Sequence, residues 1–297
     1  MKNARKTKKV LIMFAAAVCS IVSMGNTAII DTEQAAADEN HQIIYYDDVD
    51  ADVVFNGQGV QTDASYTVYY DYYTVLEDVS VGSAPSFGNN DGTNICGPVA
   101  GANIVIYYDR WYTNLVPNYT PGMVFSDTGL YNYYPNMGLT ETNNVITSLY
   151  LHMNLLLWGG TTSANFKSGL NGYVTNAGYN LSYYSFYTNS TNVNLATLKT
   201  AVQQGKVGLV MCSEYNFVYG LNDVPQDKKM NIVKIKSSSA HMMMVYGYKK
   251  IAYYKNGQNI GTDTFLYVSS GFNTSDQGYM ELNDYSVINE ALIMAIS

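Results

Sequence analysis

Hydrophobic and polar positions along the chain fall into blocks of different period. Val10 to Met24 is an apolar block interrupted only by Ser20 and Ser23, with Lys2, Arg5, Lys6, Lys8 and Lys9 ahead of it. This is the pattern of a secretory signal peptide, and it is shorter than the roughly twenty residues of a membrane span. Between Asp38 and Gly88 the stretches Tyr66–Tyr70 and Tyr72–Leu76 alternate, which predicts a few strands or an extended arm. From Cys96 the period lengthens. Val99, Ala102, Ile106 and Arg110 recur at steps of three to four, as do Ala100, Ile104, Tyr108 and Trp111. The spacing predicts a helix that is apolar around most of its circumference and packed between other elements. Pro98 suits its first turn, and Thr93 or Asn94 can cap it. Further helices are predicted over Glu141–Trp158, over Asn165–Ala177, weakened by two glycines, and over Val193–Gln204, where Gly205 stops it. Beyond that the period shortens to two. Val207–Cys212, His241–Tyr248, Phe265–Ser269 and Gly278–Leu282 read as strands, with Asn256-Gly257 as a hairpin turn. Helices first and strands second predict an α+β fold with segregated lobes.

The charge pattern narrows the function. The chain has 16 basic and 24 acidic residues, a net charge of −8. Without the five basic residues of the leading segment the balance is 11 against 24, or −13. A mature chain this acidic is repelled by phosphate backbones and anionic headgroups, so no nucleic-acid partner and no stable membrane insertion after signal cleavage are expected. The expected location is secreted or extracellular, with a surface that relies on Tyr, Asn, Ser and Thr. From Asp38 to Gly88 the chain carries ten acidic residues and no Lys or Arg, and the segment 39–88 reads either as a removable prosegment or as a structural extension. The organisation is then a leading segment 1–38, the acidic Tyr-rich segment 39–88 and a main domain 89–297.

With Cys19 in the leading segment, Cys96 and Cys212 are the mature cysteines. In an oxidising setting they can pair as a disulfide or remain thiols. Cys96 stands at the first turn of its helix, where open N–H groups and the helix dipole favour a thiolate, which makes it a candidate nucleophile. Among the three histidines, His41 lies in the acidic segment and His152 in a predicted helix. His241 opens a strand in which it shares a face with Met243 and Val245, while Met242, Met244 and Tyr246 share the other.

Cys96-Gly-Pro-Val-Ala-Gly-Ala-Asn-Ile at a helix start, Gly205-Lys-Val-Gly-Leu-Val, His241-Met-Met-Met-Val-Tyr-Gly-Tyr, Phe265-Leu-Tyr-Val-Ser-Ser-Gly-Phe and Gly278-Tyr-Met-Glu-Leu occur in that order. Together they resemble the papain-like cysteine peptidases, nearest the bacterial bacteriocin-processing, double-glycine-peptidase-like branch, over Asn89 to Ser297. The resemblance implies a helical lobe followed by an antiparallel β-sheet lobe, a peptide or protein substrate, and no cofactor. It makes Cys96 the nucleophile and His241 the general base that later protonates the leaving amine. It places a side-chain amide about six residues upstream of the cysteine in the oxyanion hole, where this chain has Asn90. The family's third member, an Asn or Asp that orients the imidazole, has no direct counterpart. Ser270 falls nearest by register, Ser269 next, and Asn273 reaches in only if the turn folds back.

Other chemistries find little support. There is no His-Glu-x-x-His, Cys-x-x-Cys or phosphate-binding glycine loop, and Asp47–Asp52 lacks the glycine and terminal Glu of a calcium loop. Three readings stay open: a secreted thiol peptidase, a papain-like surface binding protein without catalysis, and an amidase or acyltransferase using the same dyad.

Overall fold

The computed structural model describes residues 61–82, 84–88, 95–117, 122–125, 131–134, 139–154, 160–272, 277–282 and 285–297. The leading segment, His41, Asn90, Asn273 and the cap candidates Thr93 and Asn94 lie outside the described residues.

The fold is α+β, with several helices followed by a large antiparallel sheet. The chain runs β1 (Gln61–Tyr69), β2 (Tyr72–Ser80), α1 (Cys96–Asp109), β3 (Gly122–Phe125), β4 (Tyr131–Tyr134), α2 (Leu139–His152), α3 (Ser163–Asn176) and β5 (Leu181–Ser185). It continues through β6 (Tyr187–Asn189), β7 (Asn192–Val193), α4 (Leu195–Gln203), β8 (Val207–Val224), β9 (Lys229–Ser237), β10 (His241–Lys255), β11 (Gln258–Ser269), β12 (Gln277–Glu281) and β13 (Val287–Ile296).

All fourteen residues of α1 are buried, as its all-round apolar pattern requires. Its N-cap is Ile95, which makes no side-chain capping bond. The α2 helix ends at His152, six residues before the predicted Trp158, because Asn154 takes a left-handed conformation (φ 44°) that breaks the helical path. The weak pattern of α3 has a packing cause: a Cβ at Gly169 would sit 2.6 Å from the Met153 Cα, so the glycine lets α3 approach the end of α2. Thr162 caps α3 and Asn194 caps α4 through their side chains.

The main sheet runs β1-β9-β8-β12-β11-β10-β2, with β13 on β8 and β5 on β13. The two ends of that path, β1 and β2, are consecutive strands joined only by Tyr70 and Asp71, so the sheet curls back on itself. Contacts between non-neighbouring strands bear this out. The Tyr253 hydroxyl of β10 lies 3.5 Å from the Met230 sulfur of β9, and the Tyr66 hydroxyl of β1 reaches Glu281 of β12 at 2.5 Å. The strands of the acidic segment are thus rails of the same sheet that carries His241. Nine residues of β1 pair with β9, and β2 pairs with β10 from Gly247 to Tyr254.

The first half of β8 and β10 separates two apolar layers. Val207, Leu209, Met211, Met242, Met244 and Tyr246 pack against α1 to α3, and Val210, Cys212, Met243 and Val245 pack on the other face with Leu198, Ala201 and Val202 of α4. The predicted two-faced division of the His241 strand is realised. The tyrosines serve the core as well as the surface: Tyr107, Tyr215, Tyr248 and Tyr253 are among the largest fully buried side chains, while Tyr69, Tyr72 and Tyr219 are exposed. In a chain so poor in charge, tyrosine supplies core volume, and its hydroxyls find interior acceptors such as the Met294 carbonyl for Tyr108 at 2.6 Å.

Candidate functional site

The buried start of α1 meets the start of β10 at the seam between helices and sheet. The first donors of the helix are open by construction, since Val99 N–H already bonds back to the Ile95 carbonyl and Pro98 has no N–H. The N–H groups of Cys96 and Gly97 therefore turn toward the Cys96 sulfur, and the N–H of Met242, the residue after His241, joins them. Cys96 is nearly enclosed, with 7% of its surface exposed. Burial pushes its thiol up to about 12, and the three N–H groups pull in the opposite direction without prevailing.

His241 is buried as the first residue of β10. Its Nε2 lies 2.7 Å from the Ser270 carbonyl oxygen. A carbonyl only accepts, so Nε2 carries the proton and Nδ1 is left as a bare acceptor. Nδ1 has no hydrogen-bond partner among the described residues. No hydrogen bond joins it to Cys96. Burial lowers the imidazole to about 4, against the opposing pull of the Ser270 carbonyl. At neutral pH the resting pair is a thiol and a neutral imidazole.

The segment Ser270-Gly271-Phe272 links the two groups. Gly271 has φ 77°, and a Cβ there would fall 3.0 Å from Val99 Cγ1, one turn into α1. Only glycine lets the chain leave β11 in this conformation while pressed on the Cys96 helix. The turn presents the Ser270 carbonyl to His241 on one side and rests on the Cys96 helix on the other. The Phe272 ring lies parallel to the imidazole at 4.6 Å (3° between planes), and Tyr215 of β8 stacks on it at 5.5 Å (21°).

The hydroxyls proposed to orient the imidazole have other partners. Ser269 Oγ donates to the Pro85 carbonyl at 2.6 Å, and Ser270 Oγ accepts from the Phe272 N–H at 3.3 Å. Ser270 meets His241 through its backbone, a contact that any residue at that position can make and that sequence cannot signal. The Pro85 bond ties the approach to Cys96 to β11, and buried Asn103 of α1 holds the same stretch by exchanging hydrogen bonds with the Phe87 N–H (2.8 Å) and carbonyl (2.9 Å).

Cys212 and Cys96 are both free thiols. Cys212 is the cross-strand partner of His241, and its sulfur lies 3.6 Å from the His241 carbonyl oxygen. The peptide group between His241 and Met242 thus offers its carbonyl to one thiol and its N–H to the other. His152 is remote, near the opposite end of α1. Its Nδ1 donates to the Ser148 carbonyl at 2.8 Å and its Nε2 accepts from Asn176 at 3.1 Å, so both nitrogens are engaged. Among the described residues there is no cluster of His, Cys, Asp or Glu able to hold a metal ion.

No protein-family model matches the chain, and comparison with curated proteins and with solved structures finds no match.

Proposed function

We propose that this protein is a secreted thiol-dependent peptidase, with a papain-like catalytic domain, that hydrolyses peptide bonds through Cys96 and His241. One observation carries the reading: the Cys96 sulfur rests on the N–H of the residue following His241, whose Nδ1 is buried, deprotonated and without a partner. A buried acceptor left open is costly unless something uses it.

The chemistry follows from the proton inventory. As the sulfur attacks a substrate carbonyl carbon, its proton passes to Nδ1 and the carbonyl π pair moves onto oxygen. The N–H of Cys96 at the helix start supports the oxyanion, and Asn90 is the side-chain donor proposed beside it. Collapse breaks the C–N bond, the imidazolium gives its proton to the departing amine, and a thioester remains. Water, deprotonated by the same Nδ1, then attacks the thioester and releases acid and thiol. Because the resting pair is neutral, the proton moves during attack, and substrate has to displace whatever keeps the two groups apart. The Ser270 carbonyl fixes the tautomer but adds no negative charge to balance the imidazolium, so modest turnover is expected relative to a carboxylate-assisted triad.

Alkylation by iodoacetamide under reducing conditions, read by peptide mass spectrometry, tests the assignment. The expected result is modification of Cys96 with Cys212 spared, slowed in His241→Ala, together with cleavage of unstructured peptides that Cys96→Ala abolishes. Failure to modify Cys96, or modification indifferent to His241, overturns it. A second reading is a papain-like surface binding protein without catalysis, favoured by the uncharged Ser270 contact. It predicts that Cys96 is modified while no peptide is cleaved.

A further inference from the structure

Among the described residues, the His241 ring has a single hydrogen bond, from Nε2 to a backbone carbonyl. One such bond fixes a point on the ring and not its plane, because the outer torsion of a histidine side chain has broad minima and the ring can pivot about the Nε2–oxygen line. General-base catalysis depends on that plane, since the Nδ1 lone pair lies in it, and a misplacement of about 1 Å can cost a hundredfold in rate. Two aromatic rings take up the freedom. Tyr215 is fully buried on β8, three residues after the cross-strand partner of His241, and its ring stacks on the imidazole. Phe272 stacks at 4.6 Å, in the turn that also supplies the Ser270 carbonyl. Phe272 is itself braced edge-on by Phe217, two residues beyond Tyr215 on the same strand.

We infer that Tyr215 is a positioning residue for His241: its ring face, with that of Phe272, sets the plane of the imidazole and so keeps Nε2 on the Ser270 carbonyl, which leaves Nδ1 open. The inference rests on the peptidase reading for its catalytic consequence, but not for its structural one. Among the described residues no side-chain amide or carboxylate bonds the imidazole, and aromatic packing from β8 does that work. The ring matters here and the hydroxyl does not, so Tyr215→Phe preserves the function and Tyr215→Leu does not.

The experiment uses the full secreted chain, with ¹⁵N-labelled histidine and peptide turnover measured on the same samples. In the wild type and in Tyr215→Phe, the ¹⁵N shifts of His241 at neutral pH are expected to report one tautomer, with the proton on Nε2. In Tyr215→Leu a mixture of tautomers is expected, with kcat lower by about tenfold and KM nearly unchanged, as loss of orientation rather than of substrate binding predicts. A single Nε2–H tautomer with wild-type kcat in folded Tyr215→Leu overturns the inference. So does a loss in Tyr215→Phe as large as in Tyr215→Leu, which would assign the role to the hydroxyl. Should Tyr215→Leu fail to fold by circular dichroism, Phe272→Leu, at a half-buried position, carries the same two readouts with the same expectation. If the wild type neither cleaves peptide nor alkylates at Cys96, the peptidase reading fails, and the tautomer comparison still decides the role of Tyr215.

Discussion

Two buried polar regions of this molecule are built on opposite terms. Inside the curled sheet, Glu281 accepts from Lys234 Nζ at 2.6 Å, from Asn216 Nδ2 at 3.1 Å and from the Tyr66 hydroxyl at 2.5 Å, while Asp263 also takes Tyr66 at 3.2 Å. Each partner comes from a different strand, and the ammonium sits 4.6 Å over the Tyr66 ring. At the helix–sheet seam the polar groups are uncharged and Nδ1 of His241 is left open. In the first region the charged carboxylate and ammonium are each engaged by partners from neighbouring strands. The second keeps one acceptor in reserve where the start of β10 meets the start of α1. The difference teaches where to look for function among the described residues: at an unsatisfied group near a thiol-bearing helix start, not at the densest network.

The largest break in the comparison comes from removing the segment that closes the sheet. A chain beginning at Val81 loses the β1 and β2 ladders, the Tyr66 contacts, and the Lys199–Glu77 ion pair (2.8 Å) that ties α4 to β2. It is expected to lack a cooperative unfolding transition by circular dichroism, which would make 61–80 part of the folded domain. A stable, active truncated enzyme would instead make it a removable prosegment. Next in size is Lys234→Ala, which strands the Glu281 carboxylate in the interior. Urea denaturation should show a loss of about 3–5 kcal/mol, the usual cost of breaking a buried pair from one side. The corresponding change at the seam, His241→Ala, should cost far less stability and lower turnover by about 10²–10⁴-fold.

Much of this contrast was legible in the sequence at the seam and little of it in the curled sheet. The all-round apolar pattern after Cys96 marked a buried helix, and the alternation after His241 divided its strand correctly between two layers. Tyr66–Tyr70 and Tyr72–Leu76 read as strands, and Asn256-Gly257 forms the hairpin turn, with Asn256 at φ 51° and Gly257 at φ 73°. Lys229–Ser237 was not read as a strand, because its lysines and Asn231 mask an alternation whose inward positions include charged Lys234. Closure depends on pairing between residues up to about two hundred positions apart, such as Tyr66 with Asp263 and Glu281, which no local period encodes. The orienting partner of His241 is a backbone carbonyl, and backbone atoms leave no mark on residue identity.

The two ends of α1 oppose each other in pH. His241, at the seam, is lowered from 6.5 to about 4, so the unfolded chain binds its proton more readily. Its contribution to stability is complete above about pH 6.5 and is lost as pH falls toward 4. Asp109, at the far end of α1, is raised from 3.8 to about 6 by burial, with its Oδ2 unpartnered. Here the folded state binds the proton more tightly, so its contribution is present below about pH 4 and is lost as pH rises through 6. Each is on the order of 3 kcal/mol, and they nearly cancel between pH 4 and 6. Asp109→Asn should therefore expose a steep loss of stability toward acid in urea midpoints, whereas His241→Ala should leave a protein that gains stability toward acid. Parallel curves for the two variants would mean that neither group is buried as described.

The smallest effect bears most directly on which atoms serve catalysis. Ser270 was the first candidate for orienting the imidazole and Ser269 the second, and the structure gives the Ser269 hydroxyl to the Pro85 carbonyl, 184 residues away in sequence. Ser269→Ala leaves that buried carbonyl without its donor and should cost about 1–2 kcal/mol in urea midpoint, with kcat within about threefold of wild type. Ser270→Ala removes only a local bond to the Phe272 N–H and keeps the carbonyl that His241 uses, so both quantities should change less still. A Ser269→Ala variant of undiminished stability whose turnover collapses would reverse the assignment. It would mean that the hydroxyl leaves Pro85 to meet the imidazole, and that the orienting group is a side chain after all.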